Sequence, residues 1–546
     1  MKKYFSLHKG IFLVYLFVSI LYALILAGTG FVFRALTEAA LGTNFNHFIL
    51  IASFSVLFLI GDSYFDYVPR LVRAKVVNTI LHSLREDLMD RYLQENLQMI
   101  LKENPAERTN KLVNQLEVIE NSYLRPFLSA IASVFIFTFS VAGAFYLQPT
   151  LTLIMLVLCF LPFLAPIINQ KILSYKKQES QETKKVYLSL FEDFSRNLST
   201  IRLTNASPLF KRMLYQKSAE TKQASNEFEK RQAATYAVSY GLSNIVYSGT
   251  WIIGGIFVFN GLLTIPGLIA MTTIMGTVAG PIQTLSGLLT EMASSKKVLQ
   301  EFLSDLNPQQ TEERDMEFSL QEPIQELSLS SLGYSVGTHP LFHNLNYQFK
   351  EKGKYAILGE SGTGKSTLLH LIMGIFPPSE GEITVNAYNR NTVTHPSFYE
   401  RIAYVPQKSA IFQGTIAQNV SMFQESSSVD ETKMVDSLSQ AGLSEWLNKQ
   451  EQGIHTFLSA SHPLSGGEER RLDLARALYR ESDVIILDEP TSGLDSKNEQ
   501  LIAQIIDSLE DKMVLVVTHS TNPVFLRAFH EILELTDGQL LLKKEL

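Results

Sequence analysis

Six apolar runs limit what this chain can become more than any other feature: Ile11–Phe33, His47–Val68, Phe127–Tyr146, Leu151–Gln170, Tyr236–Phe259 and Leu262–Leu289. Each is about 20 residues or longer, enough for a helix to cross the roughly 30 Å of bilayer hydrocarbon. Inside lipid every backbone N–H and C=O must find a partner within the protein, which leaves helices or a closed barrel. Apolar stretches without period-two alternation fit helices, so the sequence predicts an all-α, six-helix transmembrane domain in a multi-pass membrane protein. A secretory signal is the rival reading of the first run, which follows the basic start Met1–Lys9. The apolar core of such a signal is only about 7–15 residues, and this run is longer.

The connections between runs alternate in character. Those at Thr37–Asn46, Leu147–Thr150 and Asn260–Gly261 are short and lack Lys and Arg. The others are long and basic: Arg70, Arg73 and Lys75 follow the second run, Lys171, Lys176 and Lys177 the fourth, Lys296 and Lys297 the sixth. Lys and Arg collect on the cytoplasmic side of a cell membrane, so both termini and both long connections are expected there. Leu84, Leu88 and Tyr92, then Leu112, Leu116 and Ile119, keep the three-to-four spacing of helices. The long connections therefore read as spanning helices that continue into the cytoplasm, with short turns near Glu103-Asn104-Pro105 and Leu198–Asn205.

Charged residues make up 18 % of the chain, against roughly 25 % in soluble domains. The apolar excess lies before about residue 300, which separates a membrane half from a soluble half. A net charge of −7, with no dense basic block, points away from nucleic acid as a partner. Cys159 is the single cysteine, which excludes an intrachain disulfide. The polar, acidic stretch 305–326, interrupted by Pro308 and Pro323, reads as a linker between domains at 1–304 and 327–546.

After the linker, short β-branched strands alternate with helical patterns, as in an α/β P-loop NTPase. The run Gly359-Glu360-Ser361-Gly362-Thr363-Gly364-Lys365-Ser366-Thr367 follows the strand-like Lys354–Leu358 and opens into a helix. Its glycines let backbone N–H groups turn toward phosphate oxygens, and the helix adds its positive end. Lys365 is placed to reach the β- and γ-phosphates, and Ser366 to ligate Mg²⁺. Val484–Glu489 is a buried-strand pattern ending in two carboxylates, Asp488 for the metal and Glu489 for the attacking water. Between these segments, Leu464-Ser465-Gly466-Gly467-Glu468 opens another helix and makes a second anion-binding N-terminus. One domain needs a single such site for one γ-phosphate. The second is expected to serve the nucleotide of a partner chain across a head-to-tail dimer.

In this order and spacing the segments resemble those of ATP-binding cassette (ABC) transporters, specifically an exporter half-transporter with one nucleotide-binding domain fused to six membrane helices. The likeness covers nearly the whole chain. Leu464–Glu468 is similar to the family signature, and Val484–Glu489 to its Walker B strand with the catalytic Glu489. Gln407, in Tyr404-Val405-Pro406-Gln407, matches the Q-loop, which implies roles in catalysis and at the metal. His519, after Met513–Thr518, matches the switch histidine, and Ser492-Gly493-Leu494-Asp495 the D-loop along the dimer interface. Tyr334, 25 residues before Gly359, matches the aromatic that stacks on adenine. The resemblance implies ATP and Mg²⁺ as cofactors and a second half-transporter as partner, with a homodimer favoured and a heterodimer possible. Three departures stand out: the stretch His455–Pro463 lacks the usual Glu- and Gly-containing loop, Gly493 replaces Ala, and Asp473 replaces a small apolar residue.

What the resemblance implies is ATP-driven export of a hydrophobic or amphipathic substrate (drug-like compound, peptide or lipid) by alternating access. A regulatory membrane ATPase that senses a peptide or drug without net transport is the alternative. Within the spans, Asp62 and Asp66 lie one helical turn apart, either lining a cavity for cationic substrate or facing water near its mouth. Arg34 and Glu38 read as an interfacial pair or gate. Tyr64, Tyr240, Tyr247, Trp251, Met271 and Met275 either line an apolar cavity or pack helix against helix.

Overall fold

A computed structural model of the chain describes residues 1–103, 105–306, 318–337, 339–459, 464–493 and 496–545. It divides into two compact units, Met1–Gln94 with Asn104–Pro308, and Glu95–Glu103 with Gln309–Leu546.

The first unit is helical. Lys9–Leu41, Phe45–Leu93, Pro105–Leu147, Ser207–Phe259 and Ile265–Asp305 are each long and apolar enough to cross a membrane. The 33 residues of Lys9–Leu41 rise about 50 Å at 1.5 Å per residue, so even the shortest exceeds the hydrocarbon thickness. The expected fourth span differs. One helix, Pro149–Cys159, closes after 11 residues, and a new one, Leu161–Arg196, begins with proline in its first turn. Pro162 has no N–H to bond back and its ring crowds the preceding turn, so the ladder breaks at Phe160. Among the described residues five spans are thus continuous, and the fourth apolar run is shared between two helices.

On the first long connection a short helix, Leu97–Lys102, capped by Asn96, ends just before the expected turn at Glu103-Asn104-Pro105, and on the second a short helix, Leu198–Leu203, takes up most of the expected turn Leu198–Asn205. Asn104 lies outside the described residues. Several hydroxyls within the spans are satisfied by their own helices: Ser55, Thr152, Thr250 and Thr272 each donate to the carbonyl four residues earlier. That back-bonding is what lipid demands of a polar side chain. Arg34 does pair with Glu38, at 2.8 Å, and Asp66 pairs with Arg70 at 3.0 Å. Met271 and Met275 are buried against Ala144, Leu151 and Met155, so they pack helix on helix, whereas Tyr64, Tyr240, Tyr247 and Trp251 are exposed.

The second unit is built on strands. The first six are β1 (Glu326–Val336), β2 (His339–Lys350), β3 (Lys354–Leu358), β4 (Glu380–Val385), β5 (Tyr388–Asn389) and β6 (Ile402–Val405). The rest are β7 (Gly414–Thr415), β8 (Phe457–Leu458), β9 (Val484–Asp488), β10 (Met513–Thr518), β11 (Glu531–Thr536) and β12 (Gln539–Glu545). One antiparallel sheet has the order β2-β1-β4-β5, and the main sheet runs β12-β11-β3-β10-β9-β6. In the main sheet β11, β3, β10, β9 and β6 are parallel and β12 is antiparallel at the edge. Every residue of β3, β9 and β10 is buried. Central parallel strands are covered on both faces, which is why they read as unbroken Val/Ile/Leu runs. Residues 318–326, the tail of the linker stretch, pack onto this unit. Leu320 and Ile324 are buried, their N–H groups donating to Ser397 Oγ and Asp483 Oδ2.

Candidate functional site

Four loops leave the main sheet along one edge. In register, Thr518 pairs with Leu358, Val517 with Asp488, and Leu487 with Val405. The segments that follow these residues carry Gly359–Thr367, Glu489, His519 and Gln407. All four therefore emerge at the carboxyl ends of parallel strands, the edge where α/β sheets bind ligands.

The glycine turn is shaped for close approach. Gly362 and Gly364 have φ of 88° and 95°, a left-handed backbone that L side chains resist. A Cβ on Gly364 would meet Leu341 and Phe342 at 2.8 Å, and one on Gly359 would meet Thr363 Oγ1 at 2.8 Å and Leu535 O at 2.9 Å. Gly364 is the N-cap of the helix Lys365–Ile372, so that helix directs its free N–H groups into the turn. Lys365, only 5 % exposed, donates from Nζ to the carbonyls of Gly359 and Glu360, both at 2.8 Å. Glu360 and Ser361 stand exposed on the rim, while Thr367 is half-buried in the first helical turn.

Beside the turn lies a buried acid. Asp488 is 3 % exposed; Ser366 Oγ donates to its Oδ1 at 3.2 Å, and the Tyr404 hydroxyl is 3.5 Å from its Oδ2. Burial pushes the Asp488 carboxyl up from its ordinary value, and the Ser366 hydrogen bond acts against that rise. A carboxylate and a hydroxyl held together and shielded from water are hard oxygen donors suited to a small divalent cation such as Mg²⁺. The next residue, Glu489, adopts φ 48° and donates its N–H to Val517 O at 2.8 Å. Its Oε2 accepts from Gln407 Nε2 at 2.9 Å and lies 3.5 Å from His519 Nδ1. The three residues expected to serve catalysis are thus gathered on one carboxylate.

The other predicted positions sit apart from this cluster. Tyr334, half-buried in β1, stacks on Phe376 with ring centroids 5.9 Å apart. Ser465 caps the helix Gly466–Tyr479: its Oγ accepts from Glu468 N, and Glu468 Oε2 accepts from Ser465 N at 2.7 Å. That reciprocal pair is a capping box, and it leaves open space where a Cβ on Gly466 would stand. Asp495 lies outside the described residues.

Two side chains passed over in the sequence belong to the same edge. Tyr404 approaches Asp488 as above, and the only hint was its place in the stretch ending at Gln407. Glu499, in the helix Ser496–Ser508, accepts from Ser520 Oγ and from Asn522 Nδ2, which ties down the loop after His519. No sequence pattern linked it to residues more than twenty positions later.

Comparison with known proteins agrees with this geometry. The model of a family described as "ABC transporter" matches residues 342–492, and that of "ABC transporter transmembrane region" matches residues 12–282. The glutathione/L-cysteine transport system ATP-binding/permease protein CydC of Haemophilus influenzae is 25 % identical over 95 % of this chain and 90 % of its own length. The lactococcin-G-processing and transport protein LagD of Lactococcus lactis is 28 % identical over 71 % of this chain, which spans 56 % of LagD. A solved bacterial Atm1-family ABC exporter with ATP bound superposes with a TM-score of 0.79 at 17 % identity, covering 98 % of this chain and 95 % of that one. With both family models matched and the exporter fold in place, the chain belongs to the ABC transporter family, joining a helical membrane region to an ATPase that couples ATP hydrolysis to transport.

Proposed function

We propose that this chain is one half of a dimer that exports a hydrophobic or amphipathic substrate, with its ATPase unit and both termini in the cytoplasm. The observation that carries the reading is the meeting of Gln407 and His519 on Glu489, next to the buried Asp488–Ser366 pair. In phosphoryl transfer the protein's work is positioning and charge neutralisation rather than covalent chemistry. Lys365 and the N–H groups of Gly359–Thr367 hold the terminal phosphates, and Tyr334 supplies a ring for adenine. Ser366, Asp488 and Gln407 are the residues that would hold Mg²⁺, which when bound neutralises charge on the phosphoryl oxygens. Glu489 orients the attacking water and polarises it, and His519 holds the γ-phosphate side. Ser465, Gly466, Gly467 and Glu468 of one protomer close over the nucleotide of the other, with Asp495 along the interface. Closure then drives the membrane helices from inward- to outward-facing.

The basic connections after the second, fourth and sixth apolar runs support the orientation. For the substrate, the names of the two relatives above concern glutathione or cysteine and a lactococcin. Short peptides are accordingly the first class to test, ahead of lipids and drug-like compounds.

The test is transport in vesicles that carry the purified protein with its ATPase unit outward. ATP should drive accumulation of at least one short peptide. Glu489→Gln should abolish it while nucleotide still binds, with ATP turnover reduced by about 10²–10⁴-fold, the usual share of a general base. Turnover without flux for any peptide, lipid or drug-like compound would replace export with a sensing role.

A further inference from the structure

The signature helix Gly466–Tyr479 carries one residue for which the proposed hydrolysis has no use. Asp473 is 2 % exposed, at a position where the family resemblance leads one to expect a small apolar side chain. A carboxylate held away from water demands a partner. It has one in Arg476, whose Nη1 donates to Asp473 Oδ1 at 2.8 Å. Burial pushes the Asp473 carboxyl up, against a Ser409 hydrogen bond and the Arg476 charge, and pushes the Arg476 guanidinium down, against the Asp473 charge.

The arginine's remaining donors go to backbone. Nη2 donates to Ala410 O and Nε to Asn419 O, both at 2.9 Å. Asn419, fully buried, extends the chain of bonds: its Oδ1 accepts from Phe412 N, and its Nδ2 donates to Phe412 O and Thr415 O. Nearer the start of the same helix, Arg470 Nη1 donates to Pro406 O at 2.5 Å, and its Nη2 donates to Gln407 O. Three carbonyls of the Gln407 segment are therefore gripped by a single helix, and the first turn of that helix is Gly466-Gly467-Glu468.

We propose that Asp473 is a positioning residue which, by fixing Arg476, locks segment 406–412 to the signature helix so that the reach of Gln407 and the placement of the signature turn are set together. A planar guanidinium braced by a carboxylate cannot swing between carbonyls, whereas an unbraced one can. Removing one member of such a buried pair also leaves the other uncompensated, which loosens the site rather than merely weakening one bond. The inference rests on the reading that Gln407 serves hydrolysis at Glu489.

The test is a double-mutant cycle on the full-length chain in lipid vesicles, with ATP turnover followed against ATP concentration. Asp473→Ala should lower kcat about tenfold while KM stays within about twofold, and Asp473→Asn, which keeps an acceptor for Arg476, should recover most of the loss. Adding Gln407→Ala to Asp473→Ala should cost little beyond Gln407→Ala alone, a coupling of about tenfold. If the two effects multiply instead, or if kcat does not change in Asp473→Ala, the latch is overturned. Should Asp473→Ala fail to fold, Arg470→Met takes its place in the same cycle: a coupled loss supports the latch, and multiplying effects overturn it. A Gln407→Ala chain that hydrolyses ATP at the normal rate would overturn the hydrolytic reading itself, and the latch with it.

Discussion

Leu57 in the second spanning helix and Leu487 in β9 are the same side chain in opposite settings: the first is 68 % exposed and the second fully buried. The contrast extends to the two units. In the ATPase unit, large apolar side chains fill the interior and their removal from water is the main stabilising term. In the membrane unit many of them face outward, as with Phe17, Leu50 and Phe259, because lipid is as apolar as they are. Small residues share its interior with large ones such as Tyr15 and Met271. The first spanning helix buries Ser19, Ala23, Ala27, Thr29 and Gly30. At Gly30 a Cβ would lie 2.4 Å from Ile274 and 2.9 Å from the Ala270 carbonyl, so glycine lets two helices approach closely. Hydropathy alone therefore says where a segment lives but not which of its faces is inside.

The largest effect should come from cutting the same group out of both settings. Leu487→Ala removes buried methyl groups and should destabilise the ATPase unit by about 2–5 kcal/mol, whereas Leu57→Ala should shift the melting of the full chain by little. Comparable losses at both sites would break the contrast. Gly30→Val should come next, overpacking the helix contact with Ile274 at a cost of about 1–3 kcal/mol. It should read out as a lower melting temperature of the membrane unit in detergent, and an unchanged one would mean that the helices are not closely apposed there.

A smaller effect concerns pH in the ATPase unit. Arg390 is 1 % exposed, donates to the carbonyls of Met373 and Val393, and directs Nη2 at His395 Nδ1, 3.0 Å away. Burial and the Arg390 charge push the His395 pKa from 6.5 down to about 4. A histidine whose folded value lies below its unfolded one stabilises the fold fully above about pH 6.5, and that contribution is lost as pH falls toward 4. His395→Gln should therefore flatten the loss of stability between those values, as followed by denaturant unfolding at each pH. An unchanged slope would assign the acid sensitivity to other groups. The smallest effect is expected at the exposed Arg34–Glu38 pair. Arg34→Ala should change stability by about 0–1 kcal/mol, and a marked loss of transport without a matching loss of stability would give the pair a gating role.

What could be read in advance follows from how local the information was. The turn Gly359–Thr367 and the strand ending in Asp488 and Glu489 are continuous in sequence, so their chemistry was visible there. The meeting of Gln407 with Glu489 joins residues 82 positions apart; family resemblance gave each a part in catalysis but not their contact. The divided fourth span was signalled by Pro162, yet a hydropathy reading averages across a single residue and saw one run. Asp473 was visible as a departure, but its purpose was not. Its partner Arg476 reaches the Ala410 carbonyl 66 positions away, and backbone acceptors leave no mark in a sequence.

The left-handed backbone at Glu489 has one more consequence. A non-glycine residue there carries a conformational cost of order 1–3 kcal/mol, one that Gly would largely remove and Asn reduce. Selection for heat resistance alone should thus drift toward those residues at this codon, yielding hardier chains that no longer turn over ATP.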